Sequence, residues 1–259
     1  ETIYERPLKG YQIGSGKEDS WLYDGKISVA DFDLDGDIDL FSSSRSGNVL
    51  LVNEGGYIHH LDPASIGLPE KSLNASWVDY DNDGYPDLHT VPQGLFRNNE
   101  AEQFMETGIL RLAEEQYQGA VTNWFDHDND GQVDVMMTLN ANPDYHPWWR
   151  KVRIPRRPTT WLIEAYRNIG NSNHWLQVRL VGSEGNHEAI GAHVIIQTKK
   201  GHQVQAVAAS NEGAFFSQGH YRLYFGLGDE TDIERIDVRW PDGKMQSLKD
   251  IEGDQLLTI

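Results

Sequence analysis

Asp31, Asp33, Asp35, Asp37 and Asp39 occupy alternate positions of a nine-residue run, DFDLDGDID, with Gly36 near its centre. The run recurs as DYDNDGYPD from Asp79 and as DHDNDGQVD from Asp126. Such spacing gathers hard carboxylate oxygens into one turn, and Ca2+ takes roughly 6–8 oxygen ligands at 2.3–2.6 Å. The ligand set expected for the first copy is Asp31, Asp33, Asp35 and Asp39, with the backbone carbonyl of Asp37 at the seventh position. The second copy offers Asp79, Asp81, Asp83 and Asp87 with Tyr85, and the third Asp126, Asp128, Asp130 and Asp134 with Gln132. About three Ca2+ ions are therefore expected, one for each copy. Gly36, Gly84 and Gly131 fall where the chain must turn sharply.

A helical EF-hand requires a bidentate Glu at the twelfth position. Ser42, Thr90 and Met137 stand there, and the last acid comes at the ninth position instead. That shorter loop suits a β-hairpin. A plain Asp–Gly turn would explain one copy, but three copies in register call for a cation. Two carboxylates about 5 Å apart repel by about 3 kcal/mol at an effective dielectric near 20.

The elements that hold these loops repeat with them. Asp31, Asp79 and Asp126 open the motif at intervals of 48 and 47 residues, a period that marks an array of one supersecondary unit. An apolar stretch leads into each loop (ISVA, ASWV, VTNWF) and another follows it (LFSS, LHTV, VMMTL). A third ends near an Asn (NVLLVN, GLFRNN, IEAYRN). Short segments rich in β-branched and aromatic residues, bounded by Gly and Asn, read as strands, about four to a repeat. The one weak helix signal is ILRLAEEQY over 109–117. Beyond the repeats, WLQVRLV, AHVIIQT, QVQAVAA, YRLYFGL, RIDVRW and QLLTI alternate cleanly, which predicts a β-sandwich of seven or eight strands with Trp175 and Trp240 in its core. The expected division is 1–170 for the repeats and 171–259 for the sandwich.

The chain has 259 residues and a net charge of −18. The loops alone hold 13 Asp, so much of this acidity is local chemistry. The charge argues against nucleic acid and anionic lipid surfaces as partners. No stretch reaches the roughly 18 apolar residues of a membrane span. With no cysteine there are no disulfides and no thiolate chemistry. The chain opens on Glu1 rather than Met, which a removed export signal or a longer parent chain would each explain.

The repeats resemble FG-GAP/VCBS-type propeller repeats. NHWLQVRLVG, GNHEAIGAHV, FSQG, YFGLG and VRWPDG, in that order between 173 and 243, resemble the ASPIC/UnbV domain. The pairing is that of the cartilage acidic protein 1-like family. This resemblance implies an all-β chain: a short or partial calcium-loaded β-propeller of three blades, then a C-terminal β-domain. It also implies an extracellular, cell-surface or periplasmic location. A closed propeller needs at least about four blades. An open array is therefore expected, capped by the C-terminal part and completed by neighbouring copies.

Residues 141–161 interrupt the third repeat with ANPDYHPWWRKVRIPRRPTTW. Tyr145, Trp148, Trp149, Arg150, Arg153, Arg156 and Arg157 make this a cationic, aromatic contact surface for a partner, or an insertion that pairs with the chain's own acidic face. The function expected is a calcium-stabilised interaction or adhesion module that binds protein, glycan or copies of itself. The alternative is a calcium-dependent propeller enzyme of lyase or cyclase type, acting on a carbohydrate or natural product. Its acid–base groups would be drawn from His59, His60, His89 and His146, although no nucleophile–base–orienter constellation accompanies them.

Overall fold

A computed structural model describes residues 26–112, 121–140, 161–199, 201–208 and 219–259. The described chain is all-β, as expected, apart from one 3-10 turn at Pro63–Ile66. No helix among the described residues is long and apolar enough to cross a membrane.

The first repeat is an antiparallel meander of β1 (Lys26–Ala30), β2 (Asp39–Ser43), β3 (Val49–Glu54) and β4 (Tyr57–Leu61). The second has the same order: β5 (Asn74–Val78), β6 (Asp87–Val91), β7 (Gly94–Asn99) and β8 (Gln103–Glu106). The third shows three described strands, β9 (Val121–Phe125), β10 (Asp134–Asn140) and β11 (Trp161–Tyr166). Over 109–112 the helix expected at 109–117 does not form, and 113–117 lie outside the described residues. Leu110 takes φ 57, Leu95 donates to the Ile109 carbonyl and Leu112 to that of Pro92. These cross-chain bonds satisfy the backbone groups that a helix would have used.

The repeats pack through aromatic seams. Phe32, Phe41 and Leu50 of the first repeat meet Trp77, Leu88, Phe96 and Phe104 of the second. Trp77 stacks on Phe32 at 6.0 Å and meets Phe41 edge-on at 6.2 Å. Leu73, Val91 and Leu95 of the second repeat meet Trp124, Val135 and Met137 of the third. Each such side chain gains about 1.5–3 kcal/mol on leaving water. β5 is central to both seams, and all five of its residues are buried.

A repeated asparagine stitches the repeats together. Asn98 donates from Nδ2 to its own Pro86 carbonyl and to the Phe32 carbonyl of the preceding repeat, at 3.0 and 2.9 Å. Its Oδ1 accepts the Ala101 amide. Asn168 does the same with Val133, Tyr80 and the Gly170 amide. Asn53 keeps the bonds within its own repeat, to Ile38 and from Gly56.

The C-terminal strands form two sheets. β12 (His174–Arg179) lies between antiparallel β15 (Leu223–Gly228) and parallel β18 (Gln255–Thr258). The other sheet has the order β14 (His202–Ala206), β13 (His193–Gln197), β16 (Asp232–Arg239), β17 (Met245–Glu252). Leu176, Val178, Val194, Ile196, Phe225, Ile233, Ile236 and Val238 fill the space between them, with Trp240 against its side.

Asn98 bridges two repeats and is fully buried. Asn98→Ala should therefore cost about 3 kcal/mol, from two unpaired carbonyls and one unpaired amide. Asn53→Ala should cost about 1 kcal/mol. Equal losses in chemical denaturation would show that the contact between repeats contributes nothing.

Candidate metal centres

All three acidic runs become hairpin loops of one shape. Ala30 pairs with Asp39, Val78 with Asp87 and Phe125 with Asp134, so each loop is closed by its ninth residue. The fourth position takes positive φ in every copy (Leu34 59°, Asn82 55°, Asn129 59°), as does the glycine at the sixth (96°, 100°, 90°). The ninth aspartate locks this shape. Asp39 accepts the amides of Phe32 and Asn53 at 3.2 and 2.9 Å. Asp87 accepts those of Tyr80 and Asn98, and Asp134 those of His127 and Asn168. The seventh residues Asp37, Tyr85 and Gln132 each donate their amide to the fifth-position carboxylate.

Among the described residues, four groupings bring ligand atoms within 4.8 Å of one another: the carboxylates of Asp31, Asp33 and Asp39; of Asp79, Asp81 and Asp87; and of Asp126, Asp128 and Asp130; and the His127 ring nitrogen with Asp128 and Asp134. These groups can hold metal ions. The first tests the fit most directly. Asp31 is 2% exposed, and neither of its carboxylate oxygens receives a well-formed hydrogen bond. The Gly36 amide offsets only part of the burial penalty, and with Asp33 and Asp39 nearby the Asp31 carboxyl is pushed up to about 7. Asp39 is raised to about 7 as well, again mainly by burial. Burial also holds Asp79 and Asp87 well above the usual carboxylate range, with each other and the loop acids adding to the effect. Orphaned, dehydrated carboxylates of this kind are satisfied by a hard cation.

The second and third loops contain a partner that the sequence reading did not single out. Arg97 grips Asp81 at 2.6 Å and Asp83 at 2.7 Å, and Arg167 grips Asp128 at 2.8 Å and Asp130 at 2.7 Å. Each Arg directly precedes the stitching asparagine, and Val52 holds that place in the first repeat. That shared Arg–Asn step was the available signal.

The C-terminal sheets lie directly on the loops. A Cβ on Gly36 would meet His202 at 2.7 Å, one on Gly84 would meet Gln203 at 3.1 Å, and one on Gly131 would fall within 1.9 Å of Trp175. Trp175 thus covers the third loop rather than filling the sandwich core. Gln177 donates to Asp126 at 2.6 Å, and the Gly228 amide to the Asn82 carbonyl at 2.8 Å. Asn171 and Asn173 both donate to the Asp81 carbonyl. Beside this joint, a cleft of about 100 Å³ leads to Asp31 and Asp79 between Val29, Trp77, Val204 and Tyr224. It supplies an entry path for an ion.

Among the described residues, the candidate histidines His59, His60 and His89 lie on two separate strands. His89 is fully buried on β6 against Trp124, and burial lowers it to about 4. His59 and His60 lie on the edge strand β4. His146 lies outside the described residues, as do the proposed contact residues Tyr145, Trp148, Trp149, Arg150, Arg153, Arg156 and Arg157.

Two outcomes are expected. A Cβ on Gly226 would lie 2.1 Å from Asp79 Oδ2 and 2.5 Å from the Asn82 backbone. Gly226→Ala should therefore destabilise by about 2–3 kcal/mol, as overpacking does. Gly47→Ala, with open space around it, should be neutral in the same melt. The second outcome concerns pH. With the Asp31 and Asp39 carboxyls raised to about 7 from 3.8, the metal-free folded state binds more protons than the unfolded chain between those limits. Stability in chelator should thus rise as pH falls from 8.5 to 6.5. That window lies at or above the ordinary histidine value of 6.5, so His89, lowered to about 4 by burial, opposes the gain only at its lower end and by less than the two carboxyls contribute. A flat chelator profile would show that the two carboxylates are not destabilising when ionised.

Two stretches match known families: residues 31–90 match the FG-GAP-like repeat, and residues 182–259 match ASPIC and UnbV. Cartilage acidic protein 1 of Xenopus tropicalis is 24% identical over 260 residues, covering 93% of this chain and 37% of that protein. The Homo sapiens protein of the same name is also 24% identical, over 93% of this chain and 36% of its own length. The chain therefore spans little more than a third of the length of these relatives. The V. cholerae biofilm matrix protein Bap1 aligns with 87% of this chain and 40% of its own, at a TM-score of 0.33 and 10% identity. The chain thus pairs a stretch that matches the FG-GAP-like repeat with one that matches ASPIC and UnbV, and is similar along nearly its whole length to cartilage acidic protein 1.

Proposed function

We propose that the chain is a calcium-stabilised interaction module that works outside the cell or in the periplasm. The observation that carries this reading is the Asp31 carboxylate, buried with both oxygens unmatched and beside Asp33 and Asp39. In this reading residues 1–170 and 171–259 are two domains. About three calcium ions bind through the carboxylates of the three loops and the carbonyls of Asp37, Tyr85 and Gln132. Calcium supplies charge neutralisation and coordination, and the chain's own residues supply rigidity. The ninth aspartates hold each hairpin closed, and the asparagines hold repeat to repeat.

The partner is a protein, a glycan or another copy of the chain. The outer strand β11 exposes Leu162, Ile163 and Tyr166, and β4 exposes Tyr57 and Ile58, leaving apolar strand edges able to take another surface. The aromatic and basic residues between 141 and 161 provide a second contact surface. The enzyme alternative is less favoured, because His89, one of its candidate bases, is sealed from solvent.

Excess chelator should lower the melting temperature. One site at 100-fold excess of ion over its dissociation constant contributes about 2.7 kcal/mol. That corresponds to a loss of about 5–10 °C for a chain of this size. Light scattering should at the same time report a larger mass in millimolar calcium than in chelator. An unchanged melting temperature would remove the calcium reading. A monomer under both conditions, with no retained protein or glycan, would remove the interaction reading.

A further inference from the structure

Resting on the calcium reading, we infer that the three loops are unequal cation sites that fill in the order first, second, third, because each later loop carries more of its own counter-ions. The first loop has five aspartates, and Glu54 adds charge beside Asp33. Among the described residues, His202 lies over Gly36. Val52, 4% exposed, stands where the other repeats have arginine. Neither Asp31 oxygen receives a well-formed hydrogen bond, and the Gly36 amide offsets only part of its burial.

The second loop has four aspartates and one guanidinium. Arg97 bridges Asp81 Oδ2 and Asp83 Oδ2, and the amides of Asp83 and Gly84 satisfy Asp79. A single buried oxygen, Asp81 Oδ1, remains unmatched. The third loop is more fully answered. Arg167 bridges Asp128 and Asp130, the His127 ring binds Asp134, and Gln177 joins the amides of Asp130 and Gly131 on Asp126. None of its carboxylate oxygens is both buried and unpartnered.

The physical consequence follows from charge and dehydration. A fixed guanidinium already supplies part of what a cation would, and its positive charge opposes one. At about 6 Å from a divalent ion, screened as in water, one unit charge changes affinity about tenfold. The first loop has no such substitute, so an ion there relieves the largest unmet demand. The array then holds one ion strongly in the first loop and the others more weakly.

Calcium is titrated into the chelator-stripped full chain, with bound ions counted by native mass spectrometry and affinities taken from calorimetry. Three unequal steps are expected, the first at least about tenfold tighter than the last. Asp31→Asn should remove the tightest step and leave the others. Arg97→Met should tighten the second step about tenfold while leaving the first unchanged. The wild-type titration stands even if a variant fails to fold. Three equal steps, or a tightest step that survives Asp31→Asn, overturn the ordering while the calcium reading stands. No bound ion at millimolar calcium overturns that reading and the ordering with it.

Discussion

The ninth-position aspartate carries the architecture. Asp39, Asp87 and Asp134 each accept two backbone amides, one from the start of their own loop and one from the far end of the third strand. A single carboxylate therefore ties a hairpin to the strand beside it. Bonds of this kind to an ionised acceptor are among the stronger ones available to a protein. With the hairpin closed, the first aspartate is forced inward. Its burial, unwelcome for an anion, is the feature that makes the loop receptive to a cation.

Rigidity then spreads by repetition. In Asn98 and Asn168 the stitching asparagine itself supplies the amide that the ninth aspartate accepts, and its side chain reaches the preceding repeat from there. The aromatic seams fill the space between repeats that this link defines. The C-terminal sheets close the arrangement from one side by resting on the three loop glycines. A side chain at any of these glycines would push the sheets away, so the loop that can hold an ion also forms the seat for the C-terminal sheets. The candidate metal centres and the joint share one surface.

The arginines show how repeats of common pattern diverge. Guanidinium groups cross-link the third and fifth carboxylates of the second and third loops, and an apolar valine replaces them in the first. The first repeat instead gains an additional aspartate, Asp37, which accepts the Gly55 amide at 2.5 Å. Electrostatic demand is thus distributed unevenly along an array whose backbone is nearly uniform.

The loops, their hairpin nature, the strand segments around them and the alternating C-terminal strands were legible in the chain itself. They depend on local periodicity, glycine placement and the spacing of acids, all of which survive without any knowledge of neighbours. Asp31, Asp33 and Asp39 could be named as a cluster because a tight turn leaves them no other place to be. The failed helix at 109–112, the displacement of Trp175 from the sandwich core to the third loop, and the sealing of His89 could not be read in this way. Each depends on contacts between residues far apart in sequence. Arg97 and Arg167 were visible as letters, but their role appears only when the third strand returns beside the loop. Local pattern determined what each segment of this protein is; tertiary packing decided which carboxylates were left without a partner, because dehydration and charge pairing depend on what the rest of the chain brings to the site.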